Sequence, residues 1–106
     1  MRKPFRLHHK YNAKQTECDG ITFSSKKEAG YYCKLKALKT SGTVLFFLRQ
    51  VPFHLPGGVR FVIDFVEFWE NGDVRFVDTK GFKTESYKAK KRMVESLYSP
   101  VEIEEE

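Results

Sequence analysis

Two short apolar stretches, each interrupted by an aspartate, constrain the fold of this chain most. Asp64 lies in residues 62–65 (VIDF), and Asp78 lies in residues 77–80 (VDTK). β-Branched and aromatic residues favour strands, and a carboxylate buried in a strand is costly unless it has a partner. Residues i and i+2 of a strand share a face, so Asp78 and Lys80 are predicted to project side by side. The fold must therefore bring partners to both aspartates.

The turn between these two strands decides whether the aspartates meet. A two-residue turn ending at Gly72 would pair Asp64 with Thr79 and put the two aspartates on opposite faces of the sheet. A three-residue loop at 70–72, with Gly72 in the left-handed conformation, pairs Asp64 with Asp78 instead. We predict the three-residue loop, which brings the Cβ atoms of facing residues to within about 5 Å.

The other patterns predict a single α/β domain, as a length of 106 residues also favours. A hairpin is predicted around Asp19-Gly20, and a capping box at Ser25 opens a helix that ends at Ser41. The later elements are strands 44–55 (bent near Pro52), 59–69 and 73–80, a helix 86–98 and a strand 101–103. The order α-β-β-β-α-β predicts one mixed central sheet flanked by helices. Residues 15–106 form this domain, and residues 1–14 are predicted to be a basic, flexible arm.

The net charge of +5 is distributed unevenly along the chain. Residues 1–14 contain basic residues and no acid, whereas residues 80–92 contain one acid among six basic residues. Clustered positive charge favours a polyanionic partner, most simply nucleic acid; a basic surface that serves only solubility is the alternative. The candidate DNA-binding residues are Arg2, Lys3, Arg6, Lys10, Lys14, Lys83, Lys88, Lys91 and Arg92.

Several classes of protein are disfavoured by the composition. No apolar run approaches the roughly 18 residues of a membrane span, and the N-terminus lacks the apolar stretch of a signal peptide. Cys18 and Cys33 are too few for a structural zinc site. Reduced thiols are expected, with a disulfide between them left open. The sequence predicts a cytoplasmic protein with no membrane partner.

The two aspartates suggest metal chemistry. Two facing carboxylates repel each other unless a proton or a cation intervenes, and Mg²⁺ or Mn²⁺ prefers hard oxygen donors. Asp64, Asp78 and the backbone carbonyl of Thr79 are the candidate ligands. Lys80 would orient the attacking water or stabilise charge on a phosphate. The alternative is a pair of carboxylates that are solvated or matched to nearby lysines.

Glu28 has two interpretations. As the third residue of the first helix, its side chain can return to the amide of Ser25 and complete the capping box. If the first helical turn packs beside the active face of the sheet, the same carboxylate can instead reach the metal. Spacing alone leaves both interpretations open.

The spacing of these residues resembles a known nuclease signature. Asp64, followed after thirteen residues by Asp78-Thr79-Lys80, resembles the PD-(D/E)xK motif, with Ile63 where proline often stands. Residues 14–29 and 78–91 resemble the two halves of a small phage-encoded family in that superfamily. The resemblance covers residues 10–104 and implies a restriction-endonuclease-like core with Glu28, Asp64, Asp78 and Lys80 as the active site.

The resemblance also implies an activity. Relatives of this size include Holliday-junction resolvases, which act as homodimers and nick two opposed strands. The expectation is therefore a Mg²⁺-dependent endonuclease for branched or double-stranded DNA, located in the host cytoplasm if the gene is phage-encoded. Two alternatives are a nuclease that acts on flaps or ends and a non-catalytic nucleic-acid-binding module on the same fold.

Overall fold

The computed structural model of the protein describes residues 16–106. Its helices are α1 (Lys26–Thr40) and α2 (Glu85–Leu97), and its strands are β1 (Thr16–Cys18), β2 (Ile21–Phe23), β3 (Val44–Leu55), β4 (Val59–Trp69), β5 (Val74–Asp78) and β6 (Ile103–Glu105). The mixed α/β class is confirmed, with the predicted order α-β-β-β-α-β running from α1 to β6. The predicted arm, with Arg2, Lys3, Arg6, Lys10 and Lys14, lies outside the described residues. No helix within residues 16–106 is long and apolar enough to cross a membrane.

The main sheet is mixed, with the strand order β3-β4-β5-β6. β3, β4 and β5 are antiparallel neighbours, and β6 is parallel to β5. Phe65 of β4 packs with Leu35 of α1, whereas its neighbour Val66 packs with Val94 of α2. Because consecutive strand residues point to opposite faces, the two helices cover opposite faces of the sheet.

The register of the β4–β5 hairpin matches the prediction. The amide of Trp69 donates to the carbonyl of Asp73 at 2.9 Å, which closes a three-residue loop. Gly72 has a φ of +94°, the left-handed conformation that this loop needs and that glycine adopts without steric cost. Phe65 pairs with Val77, so the next position places Asp64 level with Asp78.

The ends and bends of some strands differ from the prediction. Pro52 pairs regularly with Val62, and the register of β3 shifts instead between Val44 and Phe46. Gln50 of the same strand has a φ of +54°. β5 ends at Asp78, two residues early, and β6 begins at Ile103, two residues late. These ends are set by the parallel pairing of β6 with β5, a long-range contact that local composition does not reveal.

Candidate active site

Asp64 and Asp78 hold each other in place across β4 and β5. Asp78 Oδ1 accepts a hydrogen bond from the backbone amide of Asp64 at 3.2 Å. Asp64 Oδ2 accepts from the amide of Thr79 at 2.9 Å and from its hydroxyl at 2.7 Å. Only 6% of Asp64 and 0% of Asp78 are exposed. The sequence therefore buries two carboxylates side by side, each fixed by the neighbouring strand.

This proximity separates the pKa values of the two carboxyl groups. Burial, reinforced by the adjacent Asp64, raises the pKa of Asp78 to about 7. Burial also acts to raise the pKa of Asp64, but hydrogen bonds from Asp78 and Thr79 outweigh it, and the pKa is lowered. At moderately acidic pH the metal-free pair therefore carries a proton on Asp78 and a charge on Asp64, as expected for two facing carboxylates.

One oxygen of Asp78 has no partner. Asp78 Oδ2 is buried and accepts no hydrogen bond from the described residues, and the hydroxyl of Tyr87 is also buried and unpaired there. Lys80 Nζ lies 3.5 Å from the other oxygen, Asp78 Oδ1, and the Lys80 side chain is 41% exposed. The predicted juxtaposition of Asp78 and Lys80 is confirmed. The Tyr87 hydroxyl is close enough to Asp78 for each group to shift the pKa of the other, so it is the nearest donor for this oxygen, and a cation is a second partner that would satisfy it.

Glu28 caps its helix with its backbone and directs its carboxylate elsewhere. The amide of Glu28 donates to Ser25 Oγ at 3.0 Å, so the first half of the predicted capping box is confirmed. The return bond to the Ser25 amide does not form in the described part of the chain. Instead, Glu28 Oε1 accepts from Ser24 Oγ at 3.1 Å, and Glu28 Oε2 lies 3.7 Å from the Arg49 guanidinium. The buried carboxylate is thus directed toward the strands.

Gln50 connects Glu28 to the aspartate pair. Its Nε2 donates to Glu28 Oε2 at 2.9 Å and to Asp64 Oδ1 at 3.3 Å. Gln50 is a polar residue in an apolar strand, and its residue type alone does not predict that it joins these two carboxylates. Composition gave no signal for Arg49 or Ser24, because their contacts with Glu28 depend on how α1 packs against the sheet.

A pocket of about 210 Å³ opens onto this arrangement. Its lining includes three of the four predicted catalytic residues, Glu28, Asp64 and Lys80, together with Thr79. The fourth, Asp78, is not part of the lining, but it contacts two residues that are, Asp64 and Lys80. The structure therefore brings all four residues to one place.

The carboxylates fit a divalent cation only in part. Within residues 16–106, no group of three or more His, Cys, Asp or Glu side chains is arranged to hold a metal ion. Asp64 and Asp78 are paired, whereas Glu28 meets Asp64 through the Gln50 amide. Two hard oxygen donors suit Mg²⁺, which usually retains several waters. The carbonyl ligand from Thr79 stays a prediction.

The predicted DNA-binding residues of the described chain lie on α2 or just before it, and acids partner three of them. Lys83 and Lys91 lie 3.8 and 3.1 Å from the two carboxylate oxygens of Glu105. Lys88 lies 3.4 Å from Glu85, and Arg92 is exposed. The basic surface is thus partly neutralised by acids that belong to the same chain.

Comparisons with known proteins place the chain in a family. Neither a curated protein nor a solved structure matches it. A family model described as "Protein of unknown function (DUF1064)" matches residues 8–105. The match spans nearly the whole chain and includes Glu28, Asp64, Asp78 and Lys80. The chain therefore belongs to the DUF1064 family.

Proposed function

We propose that this protein is a metal-dependent, structure-selective DNA endonuclease, and specifically a Holliday-junction resolvase. The observation that carries the proposal is the pairing of two buried carboxylates with a lysine 3.5 Å from one of them. The resemblance of Asp64 and Asp78-Thr79-Lys80 to the PD-(D/E)xK signature supports the same chemistry. A module that only binds DNA gains nothing from buried negative charge beside its phosphate site.

Each residue would have a definite role in phosphodiester hydrolysis. Asp64 and Asp78, with Glu28 and the Thr79 carbonyl, would hold Mg²⁺ or Mn²⁺, which would supply Lewis-acid activation of water. Lys80 would donate a hydrogen bond to the attacking water or to a phosphate oxygen, where negative charge accumulates. Thr79 fixes the orientation of Asp64 through its amide and its hydroxyl.

The choice of substrate follows from the basic residues and from the resemblance. Contacts from lysine and arginine to phosphates position a protein on DNA without reading the sequence. A branched DNA is recognised by its shape and backbone, so a base-reading helix is unnecessary. The described candidates for these contacts are Lys83, Lys88, Lys91 and Arg92.

A resolvase cuts two opposed strands, so the proposal includes a homodimer with two active sites. The row Phe46–Phe68–Val74 is a candidate interface, because it crosses three strands and is apolar throughout. Phe46 and Val74 are 45% and 46% exposed, and the Phe46 and Phe68 rings stack at 4.4 Å. Exposed apolar surface of this kind marks interaction sites more often than ordinary surface.

The test is a cleavage assay on a labelled four-way junction and on a linear duplex of matched sequence. Each substrate is incubated with the protein in Mg²⁺, Mn²⁺ or EDTA, and the cut positions are mapped on all strands. Paired, symmetric nicks in the junction alone would support the resolvase, and cleavage of both substrates would indicate a broader nuclease. Tight junction binding without cleavage in either metal would overturn the catalytic proposal.

Two variants on the same strand hairpin make the assay specific. Asp78→Asn removes the buried carboxylate, and Asp73→Asn makes the same substitution at the exposed loop where the hairpin turns. We expect Asp78→Asn to lower cleavage by at least about 100-fold, the scale of losing one preorganised electrostatic contact, and Asp73→Asn to cleave normally. Equal cleavage by both variants would remove Asp78 from the mechanism.

A further inference from the structure

Cys18 and Cys33 form a close pair of thiols at the surface, away from the candidate active site. Cys18 lies at the end of β1 and is partly buried, and Cys33 is exposed on α1. Their Sγ atoms are 2.9 Å apart, although 15 positions separate the residues in sequence. A disulfide requires about 2.05 Å between the sulfur atoms, so less than 1 Å of movement would allow the bond to form.

The hairpin that carries Cys18 is already docked on α1 through other contacts. Asp19 in its turn accepts hydrogen bonds from the Tyr32 hydroxyl at 3.2 Å and from Lys36 Nζ at 2.9 Å. These contacts hold the hairpin against the part of α1 that carries Tyr32, Cys33 and Lys36. The thiols of Cys18 and Cys33 therefore lie side by side while both are reduced. A bond between them would form within one chain and with little loss of conformational freedom.

We propose that Cys18 and Cys33 are a redox site, which a low-molecular-weight disulfide such as oxidised glutathione converts into a reversible intramolecular disulfide. The thiolate of exposed Cys33 attacks the glutathione disulfide and releases one glutathione thiolate. The thiolate of Cys18 then attacks Cys33 Sγ, forms the protein disulfide and releases the second glutathione. Both protein thiols are oxidised, one glutathione disulfide is reduced to two glutathiones, and the two thiol protons go to solvent or to glutathione.

The order of the two steps follows from the surroundings of the thiols. A hydrogen bond with Cys33 raises the pKa of Cys18 to about 11, so Cys18 retains its proton while Cys33 is the thiolate. Cys33 is the exposed member and therefore meets the oxidant first. Exposure and proximity to a resolving thiol are the features that redox-active cysteine pairs share.

The disulfide would fasten the β1–β2 hairpin to α1, and this hairpin leads directly into the pocket. β2 ends at buried Phe23, and the next residue, Ser24, donates to the Glu28 carboxylate at 3.1 Å. Oxidation would therefore restrain the segment that orients Glu28. The redox site itself rests on the thiol geometry and does not depend on the proposed nuclease activity.

The experiment titrates the purified full-length chain against glutathione buffers of defined ratio. Free thiols are counted, the intact mass is measured under non-reducing conditions, and thermal unfolding is recorded. We expect two thiols to disappear, the monomer to become lighter by two hydrogen atoms, and the Tm to rise by roughly 10 °C, because the cross-link constrains the unfolded chain. Dithiothreitol should reverse all three changes.

Cys18→Ser and Cys33→Ser are the matched controls, since each replaces one sulfur atom by oxygen and cannot form the protein disulfide. Cys18→Ser should stop at the mixed disulfide and gain one glutathione, with no rise in Tm. A wild-type product that keeps one or two glutathiones, or that is mainly a disulfide-linked dimer, would overturn the proposal. An intramolecular disulfide with an unchanged Tm would overturn the stapling of the hairpin.

Discussion

Gln50 and Asp64 lie opposite each other on β3 and β4, at the point where β4 changes the face its side chains occupy. In β4, Ile63 packs beneath α2, whereas Phe65 packs against α1, although residues i and i+2 share a face in a regular strand. In β3, the facing residue Gln50 has a positive φ. Gln50 thereby comes to donate to both Glu28 and Asp64. The backbone irregularity and the candidate active site coincide.

Gln50→Ala tests this arrangement. The substitution removes the only described side chain that donates to both Glu28 and Asp64, so we expect the free energy of unfolding in EDTA to fall by about 1–2 kcal/mol. Excess Mg²⁺ should recover part of this loss, because a cation would replace the missing donor. Urea unfolding with and without Mg²⁺ measures both effects.

Gln50→Gly separates the side chain from the backbone in the same experiment. Both variants lose the amide, but glycine adopts a positive φ without steric cost, so we expect Gln50→Gly to be about 1 kcal/mol more stable than Gln50→Ala. Equal stability of the two variants would show that the backbone at this position carries no strain.

Asp78→Asn is expected to stabilise the metal-free protein at pH 8. The Asp78 carboxyl binds its proton more tightly in the folded state, with a pKa of about 7 against 3.8 in the unfolded chain. Its contribution to stability is complete below pH 3.8 and is lost as the pH rises to about 7. Asparagine keeps the Oδ1 acceptor for the Asp64 amide and carries no charge. We expect a gain of the order of 2 kcal/mol in EDTA at pH 8 and none at pH 4.

The effect of Mg²⁺ on the Tm should depend on pH in the wild-type protein and not in Asp78→Asn. In the wild-type protein, Mg²⁺ must displace the Asp78 proton, so its effect on the Tm should be larger at pH 8 than at pH 6. For Asp78→Asn, the effect of Mg²⁺ on the Tm should not be larger at pH 8 than at pH 6. Asp73→Asn should behave as the wild type. A wild-type Tm that is insensitive to Mg²⁺ at both pH values would contradict the assignment of Asp78 as a ligand.

Local signals predicted the scaffold of the site well. Gly72 alone fixed the length of the β4–β5 loop, because the loop needs a left-handed residue in that position. The strand register then followed by counting, and it brought Asp64 level with Asp78. The conformation of a turn depends on a few neighbouring residues, and it can therefore be predicted from the sequence alone.

Contacts between elements that are distant in the chain could not be predicted from local sequence patterns. The carboxylate of Glu28 turns toward Gln50 and Ser24 because α1 packs beside β3, not because of anything within the capping box. The bend of β3 was predicted near Pro52 from the residue type, yet Pro52 tolerates regular pairing on an edge strand. The burial of Asp78 likewise depends on β6, which arrives from the end of the described chain.

Phe46→Glu tests the proposed homodimer. The row Phe46–Phe68–Val74 carries no charge, so a glutamate buried in a two-fold contact there would meet its own copy and apolar surface. We expect the variant to sediment as a monomer at a protein concentration where the wild type is a dimer. Leu97→Glu, at a residue that is 56% exposed on α2, is the control and should stay dimeric. A wild-type monomer would remove the resolvase from consideration, and a monomeric Leu97→Glu would place the interface on α2.

Glu105→Gln is expected to strengthen DNA binding. Glu105 pairs with Asp78 in the β5–β6 register, and its carboxylate contacts Lys83 and Lys91. The glutamine variant would leave both lysines free for phosphates, so we expect the affinity for a four-way junction in EDTA to rise about threefold to tenfold, with a steeper dependence on salt concentration.

Glu102→Gln removes the same charge at an exposed neighbouring position and controls for net charge. Fluorescence anisotropy at several salt concentrations measures both quantities, and an equal gain in the two variants would mean that Glu105 acts only through net charge. If the larger gain belongs to Glu105→Gln, the final strand limits DNA binding by holding Lys83 and Lys91.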